Sequence, residues 1–186
     1  MEFFDICDEN GNPTGETVER SVAHRDGICH RTAHVWIARK NKSNWDLLLQ
    51  KRSMQKDSFP GCYDTSSAGH IPAGQEVKES ALRELEEELG IVAVKEQLHF
   101  TGVFRVHYES TFHGKIFRDN EIANVFVYLD PIQEDDLKIQ KEELDGVLWM
   151  ELDAIRNACE HRDGTFCVPT GGLNLVSAYL KKLEDT

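Results

Sequence analysis

Three glutamates near the middle of the chain have a spacing that would place them on one face of a helix. Glu84, Glu87 and Glu88 lie in residues 69–91, which read GHIPAGQEVKESALRELEEELGI. Residues three or four positions apart are neighbours on a helix surface, so these carboxylates would crowd together and repel one another. A hard cation such as Mg²⁺ or Mn²⁺ would relieve that repulsion. The alternative is a solvated acidic face without a ligand, and the residues that flank the glutamates favour the metal.

The flanking residues form a pattern that resembles the Nudix box, G-x5-E-x7-R-E-U-x-E-E-x-G-U, in which U is aliphatic. The positions that match at the required spacing are Gly69, Arg83, Glu84, Leu85, Glu87, Glu88, Gly90 and Ile91. One position departs from the pattern, since Gln75 stands where its first glutamate belongs and Glu76 follows. A match at so many fixed positions is specific, and the sequence is identified as a member of the Nudix hydrolases.

The Nudix resemblance implies an α+β fold in which a mixed β-sheet lies between α-helices, with the box as a loop-helix-loop. It implies a divalent cation, Mg²⁺ or Mn²⁺, held by Glu84, Glu87 and Glu88. Arg83 is expected to orient these glutamates through ion pairs. The implied reaction is hydrolysis of a small organic diphosphate, such as a nucleoside diphosphate linked to another group, with Arg83, Glu84 and Glu87 as catalytic residues.

Segments outside the box resemble isopentenyl-diphosphate isomerase, a metal-dependent enzyme of the same fold. Its LHRAF stretch is matched by Cys29-His30-Arg31-Thr32-Ala33, and its Glu-Asn-Glu by Asp119-Asn120-Glu121. Its RRAxxKxxWPG stretch is matched by the segment from Lys51-Arg52 to Phe59-Pro60-Gly61, and its Gly-His pair by Gly69-His70. The resemblance to this branch runs from about residue 24 to about residue 126.

The isomerase resemblance implies further ligand and substrate residues. Near a metal it implies His30, His70, Asp119 and Glu121. His24 is a weaker match, because its spacing to His30 is one residue short of the isomerase's. We therefore add His70 to the three box glutamates as a metal ligand, and we take Glu121 as the best candidate for a catalytic base outside the box.

Arg52 and Lys56 are the residues that the same resemblance places on the diphosphate. A guanidinium suits bidentate contacts to phosphate oxygens. The isomerase has a catalytic cysteine directly before Gly69, whereas this chain has Ala68, which has no ionisable group and cannot transfer a proton. The chain is therefore interpreted as an isomerase-like Nudix hydrolase.

Two other functions stay open. One is an isomerase of the isopentenyl-diphosphate type, against which Ala68 argues. The other is a non-catalytic diphosphate-binding module, for which Gln75 is the sequence indication of an altered site.

Composition limits the partners of the protein. Its 186 residues fit a single domain over 1–186, and its net charge of −12 argues against a nucleic-acid polymer or an anionic membrane as main partner. No apolar run approaches the length of a membrane span. Five scattered cysteines without CxxC spacing favour reduced thiols in a cytoplasmic protein. Nudix proteins form monomers and dimers, so a homodimer stays open.

Periodicity and turn residues predict the elements that must hold these side chains. An amino-terminal hairpin within residues 1–20 is expected from Phe3–Cys7 and Thr14–Glu19, followed by a helical turn over Ser21–Arg25. The expected strands are Thr32–Arg39, Trp45–Arg52, Tyr63–Ala68, His99–Tyr108, Lys115–Leu129 and Gly146–Met150. The expected helices are Glu76–Leu89, Leu152–Ala158 and Leu173–Leu183, the last of them preceded by Gly171-Gly172. Glu142 and Glu143 are expected in solvent, and Tyr108 in the core.

Overall fold

The computed structural model of the protein describes residues 1–185. Within that range the strands are β1 Phe3–Cys7, β2 Pro13–Glu19, β3 His30–Asn41, β4 Asn44–Arg52, β5 Tyr63–Asp64, β6 Ser67–His70, β7 His99–Phe112, β8 Lys115–Tyr128 and β9 Leu144–Glu151. The helices are α1 Arg20–Asp26, α2 Val77–Leu89, α3 Leu152–Glu160 and α4 Thr170–Glu184. Short 3-10 turns, which the sequence did not predict, lie at Lys95–Gln97 and Glu134–Asp136.

A mixed sheet forms the centre of the protein, as predicted. Its seven strands have the order β5-β4-β3-β8-β7, with β6 paired to β3 and β9 paired to β4. Strands β3 and β8 are parallel, and the other paired strands are antiparallel. The parallel register sets His30 opposite Glu121, so two candidate ligands that are distant in sequence lie at the start of one strand pair.

Helices cover both faces of this sheet, which confirms the predicted α/β/α arrangement. Side chains alternate along β3, so that Val35 and Ile37 pack in one core with Leu85 of α2. Trp36, on the opposite face, packs in a second core with Leu173 of α4. All of these side chains are buried, and the two cores fix the sheet between α2 and the α3–α4 pair.

Helix α2 has the amphipathic character that the sequence predicted. Ala81, Leu85 and Leu89 are fully buried against the sheet. Gly90 ends the helix in the left-handed conformation with a φ of 72°, and its N–H donates to the Glu86 carbonyl. The N–H of Ile91 donates to the Leu85 carbonyl at 3.1 Å, which completes a glycine-based helix end. The box glycine therefore stops α2 directly after its glutamates.

The segment predicted as one strand over Tyr63–Ala68 is two strands, and that prediction was wrong in this detail. The buried Ser66 hydroxyl donates to the Leu48 carbonyl and accepts from the Ile37 N–H. It therefore bridges β4 and β3 where the chain crosses between them. As a result β5 pairs with β4, and β6 pairs with β3.

Gly171 and Gly172 lie inside the first turn of α4 rather than before it, which corrects the predicted start of the last helix. A Cβ on Gly171 would lie 2.5 Å from Cδ2 of Phe104, and a Cβ on Gly172 would lie 3.2 Å from the same ring. The two glycines thus let α4 approach β7 closely, and this tertiary contact is not visible in local sequence.

The predicted amino-terminal hairpin is present, and β7 and β8 form another antiparallel pair. His113 and Gly114 join β7 to β8 with φ values of 49° and 74°, as a tight hairpin turn requires. Strands β1 and β2 form a separate two-stranded sheet, in which Phe4 is fully buried and packs with Val18 and Ala23.

The single domain over residues 1–186 stays a prediction. No helix in the described range, 1–185, is long and apolar enough to cross a membrane.

Candidate metal and diphosphate site

One open cleft of about 1720 Å³ brings the candidate residues of the sequence together. The box helix α2 forms one wall, and α1 with β6 and the first half of β8 forms another. Two groups of ligand side chains lie in the cleft or directly behind its wall. The first, which we call the glutamate group, comprises Glu84, Glu87 and Glu88. The second, the histidine group, comprises His24, His30, His70 and Glu121.

Arg83 holds two members of the glutamate group. Its Nη2 lies 2.7 Å from Oε1 of Glu84, and its Nη1 lies 2.9 Å from Oε2 of Glu87. Glu88 is buried, and its Oε2 accepts the backbone N–H of Ala68 at 3.3 Å. The side chain of Glu87 is 52% exposed, so this carboxylate faces water in the cleft. Arg83 therefore pairs with two of the three glutamates, and its role in orienting them stays a prediction.

Gly69 is needed for the position of Glu84. A Cβ built on Gly69 would lie 2.1 Å from Cδ and 2.3 Å from Oε1 of Glu84, far inside van der Waals contact. The carboxylate therefore lies against the bare backbone of β6. This contact joins the first glycine of the box to a glutamate of the helix that follows it.

The electrostatics of the glutamate group favour a cation. Burial, reinforced by the charge of Glu84, raises the pKa of Glu88 to about 8. Burial also raises the pKa of Glu84, although Arg83 opposes the shift. Carboxylates that are costly to ionise in the protein alone become favourable anions when a divalent cation is next to them. The oxygen donors of the glutamate group thus fit a hard cation such as Mg²⁺ or Mn²⁺.

We expect Glu88→Gln to change how the stability of the metal-free protein depends on pH. The pKa of Glu88 rises from 4.5 to about 8 on folding, so the folded state binds the extra proton between these values. The stabilisation that this proton gives to the folded state is present at pH 4 and is lost as pH rises through about 8. The free energy of unfolding falls over this range by up to about 1.4 kcal/mol per pH unit. Glu88→Gln should remove this slope in urea denaturation with a chelator. Glu87→Gln, at a half-exposed side chain, is the matched control, and parallel curves for Glu88→Gln and the parent would contradict the assignment.

The histidine group is assembled from four elements. One ligand atom from each of its members lies within 4.8 Å of the others. Nε2 of His70 lies 3.3 Å from Nε2 of His24 and 3.3 Å from Oε1 of Glu121. Nε2 of His30 lies 3.6 Å from the same carboxylate oxygen. Imidazole nitrogens with one carboxylate at this separation fit a transition-metal site.

Backbone contacts orient two of the histidines toward the centre of the group. Nδ1 of His24 lies 3.0 Å from the Arg20 carbonyl, and Nδ1 of His30 lies 2.8 Å from the Ile28 carbonyl. Since a carbonyl can only accept a hydrogen bond, each Nδ1 carries the proton of its ring. Each Nε2 therefore has a lone pair that can coordinate a metal. Nε2 of His30 is buried without a hydrogen-bond partner, which is the state expected of a ligand atom.

Burial keeps His24 and His70 in the neutral form that binds a metal. It lowers the pKa of His24 to about 4 and lowers the pKa of His70, so both rings are neutral near pH 7. Burial alone would raise the pKa of Glu121, but the adjacent imidazoles of His30 and His70 outweigh it and hold that pKa well below its usual range. Burial and the charge of Glu121 raise the pKa of Asp119 to about 9.

Phe4 of the amino-terminal hairpin packs directly on the histidine group. Its ring stacks on His30 at a centroid distance of 4.8 Å and on His70 at 4.6 Å, with interplanar angles of 15° and 7°. The His24 ring meets it edge-on at 6.2 Å. The hairpin therefore supplies an apolar wall to the group.

Arg52 and Lys56 line the same cleft, but both have partners within the protein. Arg52 donates to the Ser58 carbonyl at 2.9 Å and pairs with Asp64 at 3.2 Å. Lys56 forms an ion pair with Glu143. The expectation that Glu143 lies simply in solvent was therefore wrong, because the loop after the last 3-10 turn folds back onto Lys56.

The sequence prediction differs from the structure at several other residues. His70 was grouped with the glutamates, and its ring lies instead among the histidines. His24 joins them despite its short spacing, because Gly27 ends α1 with a φ of 70° and turns the chain into β3. Tyr108, expected in the core, lines the cleft beside Phe59. Gln75 accepts a hydrogen bond from the Ser80 hydroxyl at 2.8 Å, which supports the start of α2.

Comparisons with known proteins agree with this fold. The NUDIX domain family matches residues 29–167. Nudix hydrolase 3 of Arabidopsis thaliana is 40% identical over 167 residues, which are 89% of this chain and 21% of that protein. An isopentenyl-diphosphate Delta-isomerase of Rhodobacter capsulatus is 30% identical over 142 residues, 76% of this chain and 75% of the isomerase. The crystal structure of DR0079 from Deinococcus radiodurans has the same fold, with a TM-score of 0.64, 16% identity, and coverage of 86% and 90%.

The chain belongs to the Nudix family. It spans about a fifth of the length of the Arabidopsis relative and most of the length of the Rhodobacter relative. The fold predicted from the box is therefore confirmed, and the residue roles are taken up as proposals below.

Proposed function

We propose that the protein hydrolyses a small organic diphosphate with the help of a divalent cation, Mg²⁺ or Mn²⁺, held by Glu84, Glu87 and Glu88. The observation that carries the proposal is the glutamate group itself, oriented by Arg83 and open to the cleft. When bound, the cation would neutralise the diphosphate and acidify water near it. The histidine group provides a second place for a metal in the same cleft.

The acidic side chains and Arg83 are proposed to have separate roles in the hydrolysis. Glu87 is half exposed in the cleft, so it is our first choice to accept the proton of the attacking water. Glu121 is the second choice, because it lines the cleft and its carboxylate stays ionised. Arg83 keeps Glu84 and Glu87 in place without touching substrate.

Arg52 and Lys56 are proposed to bind the phosphate that is not attacked. Lys56 would exchange its contact with Glu143 for a phosphate oxygen, since both lie at the wall of the cleft. Arg52 is held by Ser58 and Asp64, so its guanidinium is preorganised rather than mobile. Positioned cations of this kind stabilise charge that spreads over phosphoryl oxygens during transfer.

An isomerase activity is the second candidate function. The histidine group and the similarity to an isopentenyl-diphosphate isomerase favour it. Ala68 argues against it, because its side chain has no proton to give or take. Conversion of isopentenyl diphosphate to its allylic isomer, followed by proton NMR because the two isomers have the same mass, separates the two activities.

We expect at least one member of a panel of diphosphates to be cleaved when Mg²⁺ or Mn²⁺ is present, with chromatography identifying both phosphate-containing products. The panel should hold nucleoside-diphosphate sugars, dinucleoside polyphosphates and prenyl diphosphates. Glu87→Gln should lower kcat about 100-fold or more, whereas Glu86→Gln, at an exposed neighbour on the same helix, should leave it unchanged. Equal turnover of Glu87→Gln and the parent would refute the role of Glu87. Tight diphosphate binding without any turnover would show a non-catalytic module instead.

A further inference from the structure

The carboxylate of Glu121 has two different environments, one for each oxygen. Oε1 faces the histidine group, at 3.3 Å from Nε2 of His70 and 3.6 Å from Nε2 of His30. Oε2 faces away from the histidines and accepts the hydroxyl proton of Thr32 at 3.2 Å. The orientation of this carboxylate is therefore set by a residue outside the histidine group.

Thr32 also contacts a buried histidine, His34, on the same strand. Nε2 of His34 lies 3.3 Å from the Thr32 hydroxyl oxygen. A hydroxyl has one proton, and Thr32 gives it to Glu121, so its oxygen can only accept from His34. This fixes the proton of His34 on Nε2 and gives one direction to the chain of bonds, from His34 through Thr32 to Glu121. All three residues are buried at the wall of the cleft, with exposures of 6%, 3% and 7%.

Strand geometry places the three residues side by side. Thr32 and His34 lie two positions apart on β3 and point to the same face of the sheet. The parallel register of β3 with β8 brings Glu121 to the start of that pair, opposite His30. In the stretch that resembles LHRAF, Thr32 occupies the position of the alanine, so this hydroxyl is an addition to the isomerase pattern.

We propose that Thr32 and His34 are positioning residues that fix Glu121 with Oε1 toward a metal in the histidine group. The inference rests on the metal-binding part of the proposed function, and it assigns a role to two residues that otherwise take no part in it. A hydrogen-bonded partner behind a ligating carboxylate restrains its rotation, so less orientational freedom is lost when a metal binds. Loss of such a partner costs metal affinity about 10- to 100-fold.

The alternative role for the same bonds is purely structural, in which Thr32 and His34 only satisfy buried polar groups. The two roles differ in what they predict for the metal. A structural role predicts that removal of the hydroxyl lowers stability and leaves the affinity of the folded protein for a metal unchanged. A positioning role predicts weaker metal binding in protein that is still folded.

Cobalt titration of the metal-stripped protein tests the proposal without any substrate. Calorimetry gives the affinity, and the visible absorption of Co²⁺ reports its coordination. We expect Thr32→Val to bind Co²⁺ about 10- to 100-fold more weakly with an altered spectrum, and Thr32→Ser, which keeps the hydroxyl, to restore both. Thr101→Val is the matched control, because the Thr101 hydroxyl donates only to a strand carbonyl, that of Val125, at 3.1 Å.

His34 gives a second, independent pair of variants if Thr32→Val fails to fold. His34→Leu removes the donor, and His34→Gln retains an N–H near the position of Nε2. We expect weaker Co²⁺ binding for the leucine variant and recovery for the glutamine variant. Parent-like affinity and spectrum for folded Thr32→Val or His34→Leu would overturn the proposal, as would a Thr32→Ser variant that binds as weakly as Thr32→Val.

The histidine group is identified in the same titration by His24→Ala, which should abolish the strong Co²⁺ site. If the parent protein has no Co²⁺ site that depends on His24, the proposal fails, whatever the protein does to diphosphates. If Co²⁺ binding follows Thr32 as expected but no diphosphate is hydrolysed, the proposed function fails and the positioning role stands.

Discussion

Replacement of Gly69 by alanine should lower diphosphate hydrolysis about 100-fold or more, a loss of the size seen when one electrostatic group leaves an active site. The new methyl group would occupy the space of the Glu84 carboxylate, 2.1 Å from its Cδ. The obstacle is the end of a flexible side chain, so Glu84 can swing away at small cost. We therefore expect the Tm to change by only a few degrees, although the Glu84 carboxylate would no longer lie with the other glutamates.

Kinetics of variants distinguish this displacement from general damage. Gly146→Ala is the control, because no atom lies within 4 Å of a Cβ at that position, and it should keep parent-like kcat. Glu84→Gln should lose activity as Gly69→Ala does, and the double variant should be no worse than either one, because both changes remove the same group. Additive losses in the double variant would show that Gly69 acts through something other than Glu84.

Phe4→Ala should lower the free energy of unfolding by about 3–5 kcal/mol, the usual cost of emptying a buried phenylalanine site. The ring of Phe4 is fully buried and stacks on His30 and His70. A cavity there would let both imidazoles move, so we also expect weaker Co²⁺ binding by protein that remains folded. Urea denaturation and the cobalt titration measure the two effects separately.

Phe3 offers a control of the same type next to it in sequence. Its side chain is 45% exposed, so Phe3→Ala should change the free energy of unfolding by less than about 1 kcal/mol. An equal loss of stability in the two variants would mean that removing either phenylalanine ring destabilises the hairpin, whether or not the ring is buried. Unchanged stability in Phe4→Ala would contradict the packing of the hairpin on the histidine group.

Local periodicity explains why the box helix could be predicted so closely. Apolar side chains at helical spacing and a glycine stop determine both the buried face of α2 and its end at Leu89. Because a helix fixes the relative positions of its own residues, the clustering of Glu84, Glu87 and Glu88 followed from sequence alone. The prediction of a mixed sheet between layers of helices came from the resemblance to the Nudix family.

Residues whose neighbours come from distant segments were harder to predict. His24 depends on the left-handed turn at Gly27, and spacing along the chain does not show that turn. The partners of Lys56 and of Thr32 lie 87 and 89 residues away, so neither contact has a local signal. The roles given to Arg52, Lys56 and Glu121 stay predictions, because the geometry places them in the cleft without testing what they do there.

The packing of the amino-terminal segment has a consequence for fragment design. The family match begins at residue 29, whereas two residues before it matter to the histidine group: His24 is a member, and Phe4 packs on it. A fragment trimmed to the boundaries of that match would keep every residue of the Nudix box and still lose one candidate ligand and the aromatic ring behind two others. Fragments made for crystallisation or for fusion should therefore retain the first 28 residues, with an affinity tag at the carboxyl end.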